Sequence, residues 1–226
     1  MSAAGVPRSC AQYSHHKAQP ELRPKLTRAF FARDTRVVAR DLLGKRLVRV
    51  LADGTRLAGR IVETEAYCPG DSAMHAYRRK TARNAPMFMQ PGTAYVYFTY
   101  GMHFCFNIST EAEGVPAAVL IRALEPLEGL ACMRAHRGRN DVADAALCQG
   151  PANLCKALAL DRAFSGCDLL APDSVLFVED DTLAGEWVIK TSPRIGISGD
   201  EVALRAPWRF YVADHPAVSG PPQLRR

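Results

Sequence analysis

The chain has 226 residues and a mass of 24.7 kDa, with 48% hydrophobic and 23% charged residues, a composition that excludes wholesale disorder and a fibrous protein. That length suits one large domain, which buries roughly 70–75% of its unfolded surface and needs no metal or disulfide staple. Lys and Arg number 29 against 23 acids, giving a net charge of +6 and a pI near 9.0, a balance that favours a polyanionic partner.

Met1–Lys25 is broken by charges, prolines and a His15-His16 pair, so it lacks a signal-peptide core and reads as a disordered basic tail. No run of about 18 apolar residues is present, so no membrane partner is expected, and the reading is a soluble, cytoplasmic protein. Asp34 or Thr35 caps a predicted helix ending at Leu43, with Gly44 as its stop. Leu47–Leu51 is a predicted strand, Asp53-Gly54 a turn, and Arg56–Tyr67 a second strand. Residues 68–92 form a long connection of the kind that is functional or carries short structure of its own. Strands follow at Thr93–Thr99, His103–Ser109 and Ala117–Leu124, then helices at Leu127–Arg137 and Ala152–Leu160. Short strands at Val175–Val178, Arg194–Ile197 and Arg209–Val212 close a domain spanning 26–215, and 216–226 reads as a flexible C-terminal tail. Strands joined by tight turns predict an α+β fold: a single mixed domain with a curved, largely antiparallel sheet surrounded by helices. No βαβ rhythm or GxGxxG motif supports a Rossmann domain.

The chemistry-bearing features are few. Seven cysteines without a CxxC pair predict buried, reduced thiols, no metal site and no cofactor. A deaminase would need a Glu after its His and a downstream PCxxC, and neither is present. In Arg56–Tyr67, period-2 alternation puts Ile61, Glu63, Glu65 and Tyr67 on one face. Such a face is ordinarily solvated; alternatively, one carboxylate serves as a general base beside an aromatic wall. Tyr95 and Tyr97 share a strand face, and Tyr100-Gly101-Met102 stands at a hairpin tip where a polar turn is usual. That tip is either a core hairpin end or an apolar wedge of the kind that opens duplexes. Arg122, in an apolar strand, needs a partner, whether a structural salt bridge or a carboxylate that holds water. Arg78, Arg79, Lys80 and Arg83 form one basic cluster, and Arg134, Arg137 and Arg139 with His136 another; both suit phosphate gripping.

Taken together, these residues resemble the alkyladenine (3-methyladenine) DNA glycosylases of the mammalian type. The resemblance rests on Gly59–Tyr67, Thr81–Met89, Pro91–Gly101, Cys105-Phe-Asn107, Leu120–Pro126, Gly150–Leu154, Pro193–Gly196 and Trp208–Tyr211, in this order. It implies a formyltransferase C-terminal-like fold and a monofunctional glycosylase. Such an enzyme flips alkylated or deaminated purines out of duplex DNA and hydrolyses the N-glycosidic bond, starting base excision repair. Carried over by position, Glu65 is the general base and Arg122 orients the water. Tyr67, His75, Tyr97 and Asn107 form the base pocket, Tyr100 and Met102 intercalate, and the 78–83 cluster grips the backbone. The implied partner is double-stranded DNA containing damaged purines, met by a monomer, in the nucleoid of a bacterium or the nucleus of a eukaryote. Two rivals are a non-catalytic damage-binding module and a tRNA-binding accessory domain.

Overall fold

A computed structural model describes residues 23–181, 187–221 and 223. Its elements run α1 (Arg28–Phe31), α2 (Thr35–Asp41), β1 (Arg46–Val50), β2 (Arg56–Tyr67), β3 (Ala94–Thr99), β4 (His103–Ser109) and β5 (Ala118–Glu128). They continue as α3 (Leu130–Arg137), α4 (Pro151–Ala157), β6 (Leu176–Glu179), β7 (Ile189–Ser192), α5 (Glu201–Arg205) and β8 (Arg209–Val212). The fold is α+β, with one antiparallel sheet in the order β3-β4-β5-β2-β1-β6 and a branch in which β8 pairs β2 and β7 pairs β8. Among the described residues no helix is long and apolar enough to cross a membrane.

β2 organises the sheet because its two halves have different neighbours. Residues 56–60 pair with β1, whereas Glu63–Glu65 pair with β8, and β5 runs along the other edge of both. Register shifts lie between Ile61 and Glu63 and again between Glu63 and Thr64. A bulge inserts an extra residue and bends the strand, so the sheet curls at this point. It also changes phase. Ile61 joins the helix-side core with Ala66, while Val62 packs with Ala217 and Val218, so the predicted face Ile61-Glu63-Glu65-Tyr67 does not include Ile61. Gly59 is required by close approach, since a Cβ there would lie 2.8 Å from Leu124 Cβ.

The main core lies between this sheet and the helices, with Val38, Met133 and Leu154 against Phe106, Ile121 and Leu124. Asp34 caps α2 by accepting from the Arg36 and Val37 amides; the Arg36 guanidinium holds its pKa down at about 2.

Several expectations need correction. The helix predicted from Leu127 begins at Leu130, because β5 continues through Pro126 to Glu128 and Gly129, at φ 77°, makes the turn. Arg194–Ile197 is not a strand; β7 lies earlier, at Ile189–Ser192, paired with β8. The tail predicted for 1–25 lies outside the described residues except at its end, where Lys25 bridges Glu179 and the Asp180 amide donates to the Pro24 carbonyl. Ala217, Val218 and Ser219, assigned to a flexible tail, are buried, held by Gln149, whose side-chain amide donates to the carbonyls of Pro216 and Val218.

Candidate active site

The open side of the β3-β4-β5-β2 sheet carries a pocket of about 370 Å³. Because directly opposed residues in an antiparallel pair face the same way, Tyr95 with Asn107 and Tyr97 with Cys105 point into it from β3 and β4. Tyr67 and Arg122 enter from β2 and β5, His75 and Met87 from the long connection, and Ile195–Ser198 from the loop after β7. His75 Nδ1 is 2.9 Å from the Tyr95 hydroxyl, and its ring meets Tyr97 edge-on at 4.4 Å. Burial, helped by Arg83, lowers the His75 pKa, and burial pushes Tyr95 up to about 12, so both are neutral at pH 7. Asn107 is fixed by donating from Nδ2 to the Tyr95 carbonyl at 3.0 Å.

Beneath these walls lies a charged floor. Glu65 is fully buried: Oε1 accepts from the Ile195 amide at 2.8 Å and pairs with Arg122 Nη1 at 3.0 Å, and Oε2 accepts from the Tyr67 hydroxyl at 2.9 Å. A carboxylate oxygen can accept two hydrogen bonds, so Oε2 keeps capacity for a further donor. Glu63 is buried too, with both oxygens held. Its Oε1 accepts from Arg122 Nε at 2.8 Å and Arg209 Nε at 2.7 Å, and its Oε2 from the Ser219 amide at 2.7 Å. Burial opposes the Glu63 charge, but the two guanidiniums prevail and its pKa is lowered. Burial likewise opposes the Arg122 charge, and Glu65 and Glu63 outweigh it, raising its pKa. The two glutamates are therefore not a solvated face. They are a balanced buried network with Arg122 and Arg209.

The loop carrying Ile195 is anchored by a fully buried pair, Arg194 with Asp71, and the Arg194 guanidinium lies between the rings of Tyr67 and Trp208 at 4.7 and 5.0 Å. The β3–β4 hairpin closes over Tyr100-Gly101-Met102. Tyr100 is 79% exposed and Met102 69%, and Tyr100 takes φ 49°, a left-handed conformation unfavourable for a bulky residue. Tyr100 borders the pocket; Met102 lines a separate cleft of about 240 Å³ on the other side of the hairpin, with Phe104 and Lys156.

Of the residues picked out in the sequence, Tyr67, His75, Tyr97, Tyr100, Asn107 and Arg122 line one pocket, with Glu65 one hydrogen bond below. Arg78, Arg79, Lys80 and Arg83 are all exposed nearby, with the Arg83 guanidinium 5.3 Å from the Tyr97 ring centre. In the second basic cluster Arg134 pairs with Asp144 and Arg137 donates to the Ala146 and Leu147 carbonyls, so neither fits the expected phosphate-gripping loop, while Arg139 stays exposed beside Asp141. Sequence reasoning missed Tyr95, Cys105 and Ile195–Ser198 as pocket walls. Alternation with Tyr97 could have found Tyr95; nothing local marks the loop.

Fold and site define a single α+β domain with an aromatic-lined pocket above a buried carboxylate, the architecture of a small-molecule or base-binding enzyme site. The sequence model of the methylpurine-DNA glycosylase family matches residues 29–216. Two proteins named "Putative 3-methyladenine DNA glycosylase" are similar to it. That of Methanocella arvoryzae is 50% identical over 202 residues, covering 87% of this chain and 96% of its own. That of Herpetosiphon aurantiacus is 45% identical over 195 residues, covering 86% and 88%. The DNA-3-methyladenine glycosylase of Mus musculus is 45% identical over 231 aligned residues, covering 97% of this chain and 67% of its own. The chain belongs to the methylpurine-DNA glycosylase family. It is a DNA repair glycosylase, a hydrolase of N-glycosyl bonds that removes alkylated purines.

Proposed function

We propose that Glu65 is the general base of this reaction and that Arg122 orients it. The observation that supports this reading best is which groups hold each of the two buried glutamates. Each carries two donors on Oε1 and one on Oε2, but the groups that hold Glu65, namely Tyr67, Arg122 and Ile195, all line the pocket, whereas Arg209 and Ser219, which hold Glu63 with Arg122, do not. That water loses its proton to Glu65, its oxygen bonds to the anomeric carbon, and the glycosidic C–N bond breaks, leaving a free base and an abasic site. A carboxylate in this position also stabilises an oxocarbenium-like sugar. A cationic methylated purine departs without needing a proton, so one carboxylate suffices for it.

The walls suit that substrate. Tyr67, Tyr97 and His75 present ring faces and edges, His75 in its neutral form, and aromatic faces attract a cationic ring. Asn107 screens the purine edge at the rear. A base inside a duplex is out of reach, so the lesion, of the 3-methyladenine type or a deaminated purine, is flipped out of double-stranded DNA at a cost of a few kcal/mol. Tyr100 and Met102 fill the gap, and Arg78, Arg79, Lys80 and Arg83 hold phosphates. The enzyme acts as a monomer in the compartment that holds the DNA.

Glu65→Gln keeps the shape of the floor but removes the base. It is expected to bind lesion DNA as the parent does and to lose single-turnover excision by about 10²-fold or more. Parent-like turnover would sink the assignment. A non-catalytic damage-binding module would release no base in the same assay, and duplex DNA competing poorly against tRNA would favour the accessory-domain alternative.

A further inference from the structure

Arg122 faces three partners, and only two come from the sheet. Nε donates to Glu63 Oε1 at 2.8 Å, Nη1 pairs with Glu65 Oε1 at 3.0 Å, and Nη2 donates to the Ser219 hydroxyl at 3.2 Å. Ser219 lies in the segment that the sequence assigns to a free tail, three residues past the end of the family match. Its main chain is engaged in the same network. Its amide donates to Glu63 Oε2 at 2.7 Å, and its carbonyl accepts from Arg209 Nη2 at 3.3 Å. The residue is 5% exposed.

We propose that Ser219 is a positioning residue: with Glu63 it fixes the plane of the Arg122 guanidinium so that Nη1 is held toward Glu65. This rests on the reading of Glu65 as the base. A planar guanidinium directs its donors in a fixed fork, so holding Nε and Nη2 determines where Nη1 points. Glu63 alone anchors one side of that fork and leaves rotation about the Nε contact open. The Ser219 hydroxyl supplies the second anchor. The side chain is not what fastens the segment: Ala217 and Val218 pack against Val62, Ala123 and Tyr211, and Gln149 holds the carbonyls of Pro216 and Val218. Removing the hydroxyl therefore frees Arg122 while the segment stays in place.

The test compares Ser219→Ala, Ser219→Thr, Glu65→Gln and the Ser219→Ala/Glu65→Gln double variant in single-turnover excision of a methylated purine from duplex DNA. Lesion-DNA affinity and thermal melting are measured alongside. Ser219→Ala is expected to lose about five-fold in excision rate, the effect of one net hydrogen bond, with affinity unchanged and melting lowered by no more than the roughly 2–4 °C that one lost hydrogen bond costs a chain of this size. Ser219→Thr restores the rate, and the double variant is no slower than Glu65→Gln. A parent-like rate for Ser219→Ala overturns the inference, as does a loss that matches a drop in affinity or comes with partial unfolding at the assay temperature, a failure of threonine to rescue, or a further five-fold loss in the Glu65→Gln background. Parent-like excision by Glu65→Gln would instead remove the base, and the positioning role with it, whatever Ser219→Ala does.

Discussion

The floor and the rim of the pocket follow opposite rules. At the floor, Glu63, Glu65, Arg122 and Arg209 are all buried, and every carboxylate oxygen and both guanidiniums have protein partners. At the rim, Tyr100 and Met102 are large apolar side chains left in solvent, one of them on a strained backbone. Charges out of water must be paired, so the floor is complete before substrate arrives and its donors need no rearrangement during reaction. An exposed aromatic at a strained turn gains nothing from folding, and in the proposed reading its contacts come from the nucleic acid. In the proposed function, preorganisation at the bottom and an unfilled contact at the top divide chemistry from base extrusion.

That division can be broken from either end. The largest effect is expected for Glu63→Ala, which leaves Arg122, Arg209 and the Ser219 amide facing an uncompensated cavity. Removing one member of a buried ionic network costs about 3–5 kcal/mol, so thermal or urea melting should show a large loss of stability along with activity. A variant of unchanged stability would mean that the floor is not the preorganised element described. Next comes reversal of Arg78 and Arg79 to glutamate. Binding to damaged and undamaged duplexes should weaken together, by about tenfold or more at low salt, and the salt dependence should flatten. A loss confined to lesion DNA would move those side chains from backbone grip to lesion recognition.

The subtlest is Tyr100→Ala. Exposed in the free protein, Tyr100 can be removed with little change in melting, yet excision of a well-paired lesion should fall by about tenfold. The same lesion opposite a mismatch, or in a single strand, already has a lower unstacking cost and should lose less. Equal losses on all three substrates would make Tyr100 a wall of the pocket rather than a wedge.

Alternation and turn residues in the sequence determined most strands, the hairpin tip and the aromatic faces, because period-2 patterns and turn chemistry are local properties. The resemblance further named six of the residues that line the pocket. What local pattern could not decide is whether a face is covered. Alternation put Glu63 and Glu65 on one side of β2, and solvated glutamates were the ordinary outcome of that pattern. Only the arrival of Ile195, 130 residues away, and of Ser219, 156 residues from Glu63, makes that side an interior. The same limit explains the two arginine clusters, alike in sequence, of which one is exposed while in the other Arg134 and Arg137 are spent on Asp144 and backbone carbonyls. It also explains the bulge that takes Ile61 off the face of Glu63 and Glu65, since its position depends on β2 exchanging β1 for β8 as a neighbour. A buried charge is legible in a sequence only through its partners, and here the partners were brought together by the closing of the sheet.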